Sequence, residues 1–132
     1  MPNWCYNYVC VTHENPAKIA ELKQTIVADE PNTFAHFIPL PDGKWDYDFC
    51  VDNWGTKWEV ELQDVTITDD GKTLSAFFSS AWSPPIEAYC TMHKQGFKIH
   101  ALYSEQGMGF CGIFDDISYQ EFPFPEIGRA HV

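Results

Sequence analysis

The chain has 132 residues, which suits one domain of ordinary size and not two. Apolar residues make up 45% and aromatic residues 16%, ample for one core, while 19 acidic against 8 basic side chains leave a net charge of −11. That charge argues against nonspecific DNA or RNA binding, which needs a basic face to displace counterions, and against an anionic membrane surface as partner.

Asn3 to Thr12 reads as the first strand. Trp4, Tyr6 and Tyr8 alternate with Val9 and Val11 on the other face, and apolar groups on both faces mark a central strand. Asn15-Pro16 has the form of a helix cap followed by proline at the first helical position. Ile19, Leu22 and Ile26 then form one apolar stripe, and Pro31 ends the helix. Thr33 to Pro41 is expected to be a short extended piece, and Asp42 to Thr56, which has no clean period, a long loop. Trp58 to Thr68 alternates as a strand, with Trp58, Val60 and Leu62 opposite Glu59, Glu61 and Gln63. Asp69-Asp70-Gly71-Lys72 is a hairpin turn, and Thr73 to Trp82 returns as the partner strand.

Ser83-Pro84-Pro85 is expected to cap and open a second helix, which Gly96 stops. Phe97 to Tyr103 and Met108 to Phe114 complete the strands, Phe97, Ile99, Ala101 and Tyr103 sharing one face. The order predicts an α+β domain of ferredoxin-like topology. This is a split βαβ (βαββαβ plus an extra strand), an antiparallel sheet with two helices on one face. The domain is expected to span residues 1–122, and 123–132 to be a proline-containing tail.

Four stretches carry a resemblance: Met1-Pro2-Asn3-Trp4-Cys5-Tyr6-Asn7, Asn53-Trp54-Gly55-Thr56-Lys57-Trp58, Ala81-Trp82-Ser83-Pro84-Pro85, and Tyr103 through Gly112. Together they resemble the YubB ferredoxin-like domain family of phages and conjugative plasmids, over residues 1 to about 115. The Trp-Gly-Thr-Lys-Trp and Ala-Trp-Ser-Pro-Pro pieces are specific in combination. The resemblance implies the fold and a mobile-element origin, and it brings no established reaction.

Signatures of chemistry are sparse. Cys5, Cys10, Cys50, Cys90 and Cys111 are odd in number and include no CxxC, so the expectation is reduced thiols in a reducing compartment. The N-terminus lacks the basic and apolar regions of a signal peptide, and no apolar run approaches the ~20 residues of a membrane helix. A cytoplasmic location is expected. His13, His36, His93, His100 and His131 show no ligand spacing, and Cys90 with His93 would be half a metal site at most. Gly107 to Gly112 spells GxGxxG but enters a strand, where the dinucleotide fingerprint requires a helix. Neither a metal nor a cofactor is expected.

Aromatic residues form the stronger constellation. Trp54, Lys57, Trp58, Trp82, Tyr103 and Glu105 are the candidate ligand-binding set, suited to a nucleotide, base or peptide. The plainer reading is a hydrophobic cluster that pins the long loop, with Lys57 paired to Glu105. On that reading Trp58→Ala should cost ~3–5 kcal/mol. Between Asp42 and Asp70 nine acids and two lysines contribute −9 + 2 = −7 of the charge. Trp45, Asp46, Tyr47, Asp48 and Asp52 are the candidate partner-binding set there, and solubility is the plainer reading. The sequence therefore points to a non-catalytic accessory protein of a mobile element. It would bind a host protein or small ligand through a tryptophan-rich cleft or an acidic face. The alternative is a small enzyme or sequestering protein acting on a nucleotide.

Overall fold

The computed structural model describes residues 3–123. It is an α+β structure: one open antiparallel sheet of six strands, in the order β2-β3-β1-β4-β5-β6, with four α-helices. The central strand β1 (Trp4–Thr12) pairs with β3 (Thr73–Ala81) on one side and with β4 (Lys98–Glu105) on the other. The edges are β2 (Gln63–Ile67), beside β3, and the hairpin of β5 (Phe110–Asp115) and β6 (Ser118–Pro123), beside β4. β1 connects to β2 through α1 (Pro16–Val27), α2 (Thr33–Phe37) and α3 (Tyr47–Trp54), and β3 connects to β4 through α4 (Ile86–Lys94).

Strand period fixes the layers. Val9 and Val11, Leu74, Ala76 and Phe78, and Ile99 and Ala101 point inward and are buried. They share one core with Ile19 and Leu22 of α1, Phe34 of α2, Trp54 of α3 and Ala88, Tyr89 and Met92 of α4. Among the described residues no helix covers the opposite face: Tyr6, Phe77, Leu102 and Ile113 are each about half exposed there. Among the described residues no helix is long and apolar enough to cross a membrane.

Several expectations are corrected. Four helices stand where two were expected, because the segment from Thr33 to Trp54 is largely helical. α2 owes its start to a distant group: the Glu59 carboxylate accepts from the Phe34 and Ala35 backbone N–H at 2.8 and 3.0 Å. α3 begins at Asp46, whose Oδ1 accepts from the Phe49 N–H at 2.9 Å, and ends at Gly55. The strand expected from Trp58 is regular only from Gln63, since Glu59 leaves the ladder to cap α2. Ser83 does not cap α4; its hydroxyl donates to the Gly55 carbonyl at 2.7 Å. β6 is an additional edge strand, exposed along its length, and its Pro123 sits at an end where no ladder donor is required. The rest of the expected tail, 124–132, lies outside the described residues. Gly112 serves the close approach expected of the glycine run: a Cβ there would meet the Tyr103 ring.

Candidate functional site

The Trp-Gly-Thr-Lys-Trp and Ala-Trp-Ser-Pro-Pro stretches clasp each other where α3 ends and α4 begins. Gly55 turns the chain out of α3 at φ 79°, and a Cβ there would stand 2.9 Å from the Ile86 backbone nitrogen. Thr56, 2% exposed, donates its hydroxyl to the Ala81 carbonyl at 3.0 Å. Ser83 returns a bond to Gly55, and Ser80 donates to the Ser83 carbonyl at 2.6 Å. Trp82 takes a left-handed backbone at φ 71° and donates its N–H to the Asn3 carbonyl at 2.8 Å.

These bonds place Lys57 between two indoles. Its Nζ lies 4.3 Å from the Trp58 ring centre and 4.4 Å from that of Trp82. Trp58 leans on Trp4, centroids 6.1 Å apart, and Trp45 Nε1 donates to the Lys57 carbonyl at 2.7 Å. Trp4, Trp45, Trp58 and Trp82 are 40, 56, 40 and 49% exposed. The result is a patch of four part-exposed indoles, two of which hold the Lys57 ammonium between them by cation–π attraction.

The candidate ligand set is therefore divided. Lys57, Trp58 and Trp82 come together, whereas Trp54, Tyr103 and Glu105 lie inside. Trp54 is 1% exposed and donates Nε1 to the Ile38 carbonyl at 3.1 Å. Tyr103 faces the helix side of the sheet and donates to Glu121 at 3.1 Å; burial and that carboxylate push its hydroxyl well above the usual range. Glu105 is fully buried, and its carboxylate accepts from the Gly107 and Met108 N–H at 2.6 and 2.8 Å. It closes the β4–β5 turn and is not the partner of Lys57. In the acidic set Asp46 caps α3, Trp45 joins the indole patch, and Tyr47, Asp48 and Asp52 are exposed on α3.

Sequence reasoning missed an acidic wall beside this patch. Glu59 and Glu61 line a cavity with Trp4, Tyr6 and Phe77 on the open sheet face. Burial raises the Glu59 carboxyl above its usual range, against the pull of the Phe34, Ala35 and Val60 N–H groups. The signal was in the sequence, since the alternation at Glu59-Val60-Glu61-Leu62 sets both acids opposite the core. A second missed group is Cys10, opposite His100 across β1 and β4, with His100 Nδ1 2.9 Å from Asp115 Oδ1. The sulfur itself contacts Ser75 Oγ at 3.3 Å and Tyr8 Oη at 3.6 Å. Among the described residues no three His, Cys, Asp or Glu side chains gather as metal ligands. His93, the partner suggested for Cys90, bonds Asp116 at 2.9 Å.

All five cysteines are free, and burial separates them. Cys5 and Cys50 are fully buried, and desolvation pushes the Cys5 thiol up to about 12. Alkylation of the native protein at mildly alkaline pH should therefore reach Cys10, Cys90 and Cys111 first. Cys5 and Cys50 should react only on unfolding, after which all five should count as thiols. Peptide mapping by mass spectrometry checks this, and early labelling of Cys5 would contradict it. The chain matches no protein-family model, no curated protein and no solved structure.

Proposed function

We propose that the chain is a non-catalytic accessory protein of a phage or plasmid, acting in the cytoplasm by binding a basic host protein through its tryptophan patch and the acidic helix α3. The observation that carries this reading is the patch itself. Four indoles, 40–56% exposed, are held by a clasp of backbone and hydroxyl bonds. Tryptophan is enriched among the anchors of protein interfaces, where a rigid ring gives large contact area at little cost in side-chain entropy. Trp45, next to the Asp46 cap of α3, ties the patch to the start of that helix.

The fold reading belongs to the same proposal. The order β2-β3-β1-β4, with two helical crossovers each spanning one antiparallel strand, supports a ferredoxin-like split βαβ with the β5–β6 hairpin added. The two clasped stretches are two of the four that resemble the YubB family. A nucleotide, the alternative ligand, would bring its phosphates to a lysine already sandwiched between rings and to a wall carrying Glu59 and Glu61.

The test compares capture from bacterial lysate by the wild type, by Trp82→Ala, and by a triple variant with Asp46, Asp48 and Asp52 replaced by Asn. Asn at position 46 still caps α3, so the triple variant should fold. The wild type should recover a basic protein at a rate that falls as salt rises, since screening acts over ~8 Å at physiological ionic strength. Both variants should recover less. Equal recovery by all three, or none by any, overturns the reading.

A further inference from the structure

We propose that the cavity beside the tryptophan patch is a seat for an organic cation, the guanidinium or ammonium group at the end of an apolar stem. This deepens the binding reading above and rests on it only for the partner that presents the group. The cavity measures about 520 Å³, within the ~300–1,000 Å³ usual for ligand sites. Trp4, Tyr6 and Phe77 bring three aromatic rings to its lining, and Glu59, Glu61 and Gln63 line it with them.

Each wall selects for positive charge. Aromatic faces carry negative potential and attract ammonium and guanidinium groups, most strongly where water is partly displaced. Trp4 is braced by Trp58 at 6.1 Å, so that ring is positioned before any ligand arrives. The Glu59 carboxylate is fixed by the N–H groups of Phe34, Ala35 and Val60, at 2.8, 3.0 and 3.2 Å. It is a stationary negative charge in the wall, and its oxygens are already engaged.

Glu61 differs. It is exposed, and among the described ion pairs neither it nor Glu59 meets a basic side chain. Among the described residues no lysine or arginine lines the cavity. An entering cation would thus meet aromatic rings, the Glu61 carboxylate, which no described basic side chain pairs, and the second charge of Glu59. An anion would meet two carboxylates, and a neutral group would leave them unused. The net charge of −11 steers in the same direction.

The experiment is a heteronuclear NMR titration followed at the Trp4 indole N–H. The probes are N-acetylargininamide, choline, neutral N-acetylglutaminamide, and an arginine-rich peptide against its glutamine-rich counterpart. The cationic probes should shift Trp4 saturably and the neutral ones should not. Glu61→Gln should weaken cation binding roughly tenfold, the size of one charge-assisted contact. Phe77→Ala, which removes an exposed ring, should weaken it with unchanged dispersion elsewhere in the spectrum. Val27→Ala, exposed on α1 and outside the cavity, should leave it intact. Tighter binding of the peptide than of the single amide identifies a polypeptide as the source, and equal binding a free small cation.

Equal response to glutamine and arginine probes, or an unchanged affinity in Glu61→Gln, overturns the proposal. The two readings fail separately. Host-protein capture that is lost in Trp82→Ala, with no saturable shift of Trp4 by the cationic probes, leaves the patch and removes the cation seat. Cation binding without any captured protein does the reverse.

Discussion

Trp54→Ala should destabilise the protein by ~3–5 kcal/mol, the range for truncating a fully buried large aromatic. Trp54 is 1% exposed, packs on Phe34 with centroids 5.6 Å apart, and bonds the Ile38 carbonyl at 3.1 Å. Its removal opens a cavity between α2, α3 and the sheet, and it leaves a buried carbonyl without a donor. Trp54→Phe separates the two contributions, because it refills part of the space and still lacks the N–H. It should lose less than Trp54→Ala and still lose the hydrogen bond, ~1–3 kcal/mol for a buried group left unsatisfied. Trp82→Ala, on a half-exposed ring, should lose little beyond one cation–π contact, ~0.5–1 kcal/mol. Urea unfolding measures all three, read as midpoint shifts at constant slope. A Trp54→Ala variant within ~1 kcal/mol of wild type would remove Trp54 from the core inventory.

This prediction moves the structural weight from Trp58 to Trp54. In the sequence the two look like a pair, four positions apart. They diverge because α3 ends between them at Gly55, so Trp54 stays on the buried helix face and Trp58 leaves with the next segment, 40% exposed. Periodicity made β1, α1, the β2–β3 hairpin, α4, β4 and β5 legible, since each carries its own local alternation or stripe. α2 was not legible, because its cap is Glu59, more than twenty positions away. α3 carried local signals in Asp46 and Gly55, but only Cys50 and Trp54 of its 8 residues are buried, too few to show a period. β6 is exposed at every position and offers no alternation to read.

Parity explains the division of the candidate site. Tyr103 and Glu105 fall on the same strand face as Ile99 and Ala101, which are core positions, so both had to point inward. Trp4 and Tyr6 fall on the opposite face of β1 from Val9 and Val11, and both are left at the surface. The residues of the exposed patch could be named from the motifs. The clasp that gathers them could not, because Thr56 and Ser83 act on carbonyls 25 and 28 positions distant.

That clasp gives the second large effect, at Gly55. Gly43 and Gly55 both take left-handed backbones, φ 69° and 79°, so alanine at either pays the same kind of conformational cost, ~1–2 kcal/mol. Their surroundings differ. A Cβ at Gly43 meets nothing within 4 Å, whereas one at Gly55 would stand 2.9 Å from the Ile86 nitrogen and 3.0 Å from that of Glu87. Those atoms belong to the first turn of α4 and cannot swing aside as a side chain would. The end of α3 must then move away from α4, adding the cost of overpacking, so Gly55→Ala should lose ~2–4 kcal/mol in all. The same movement lengthens the Ser83–Gly55 bond, 2.7 Å in the native protein, and draws Lys57 out from between Trp58 and Trp82. Gly43→Ala should therefore shift the urea midpoint modestly and leave the tryptophan resonances in place. Gly55→Ala should shift the midpoint further and displace the Trp58 and Trp82 indole signals together. Equal losses in the two variants, with unmoved indoles, would mean that backbone strain alone acts at Gly55 and that the contact with α4 does not hold the patch.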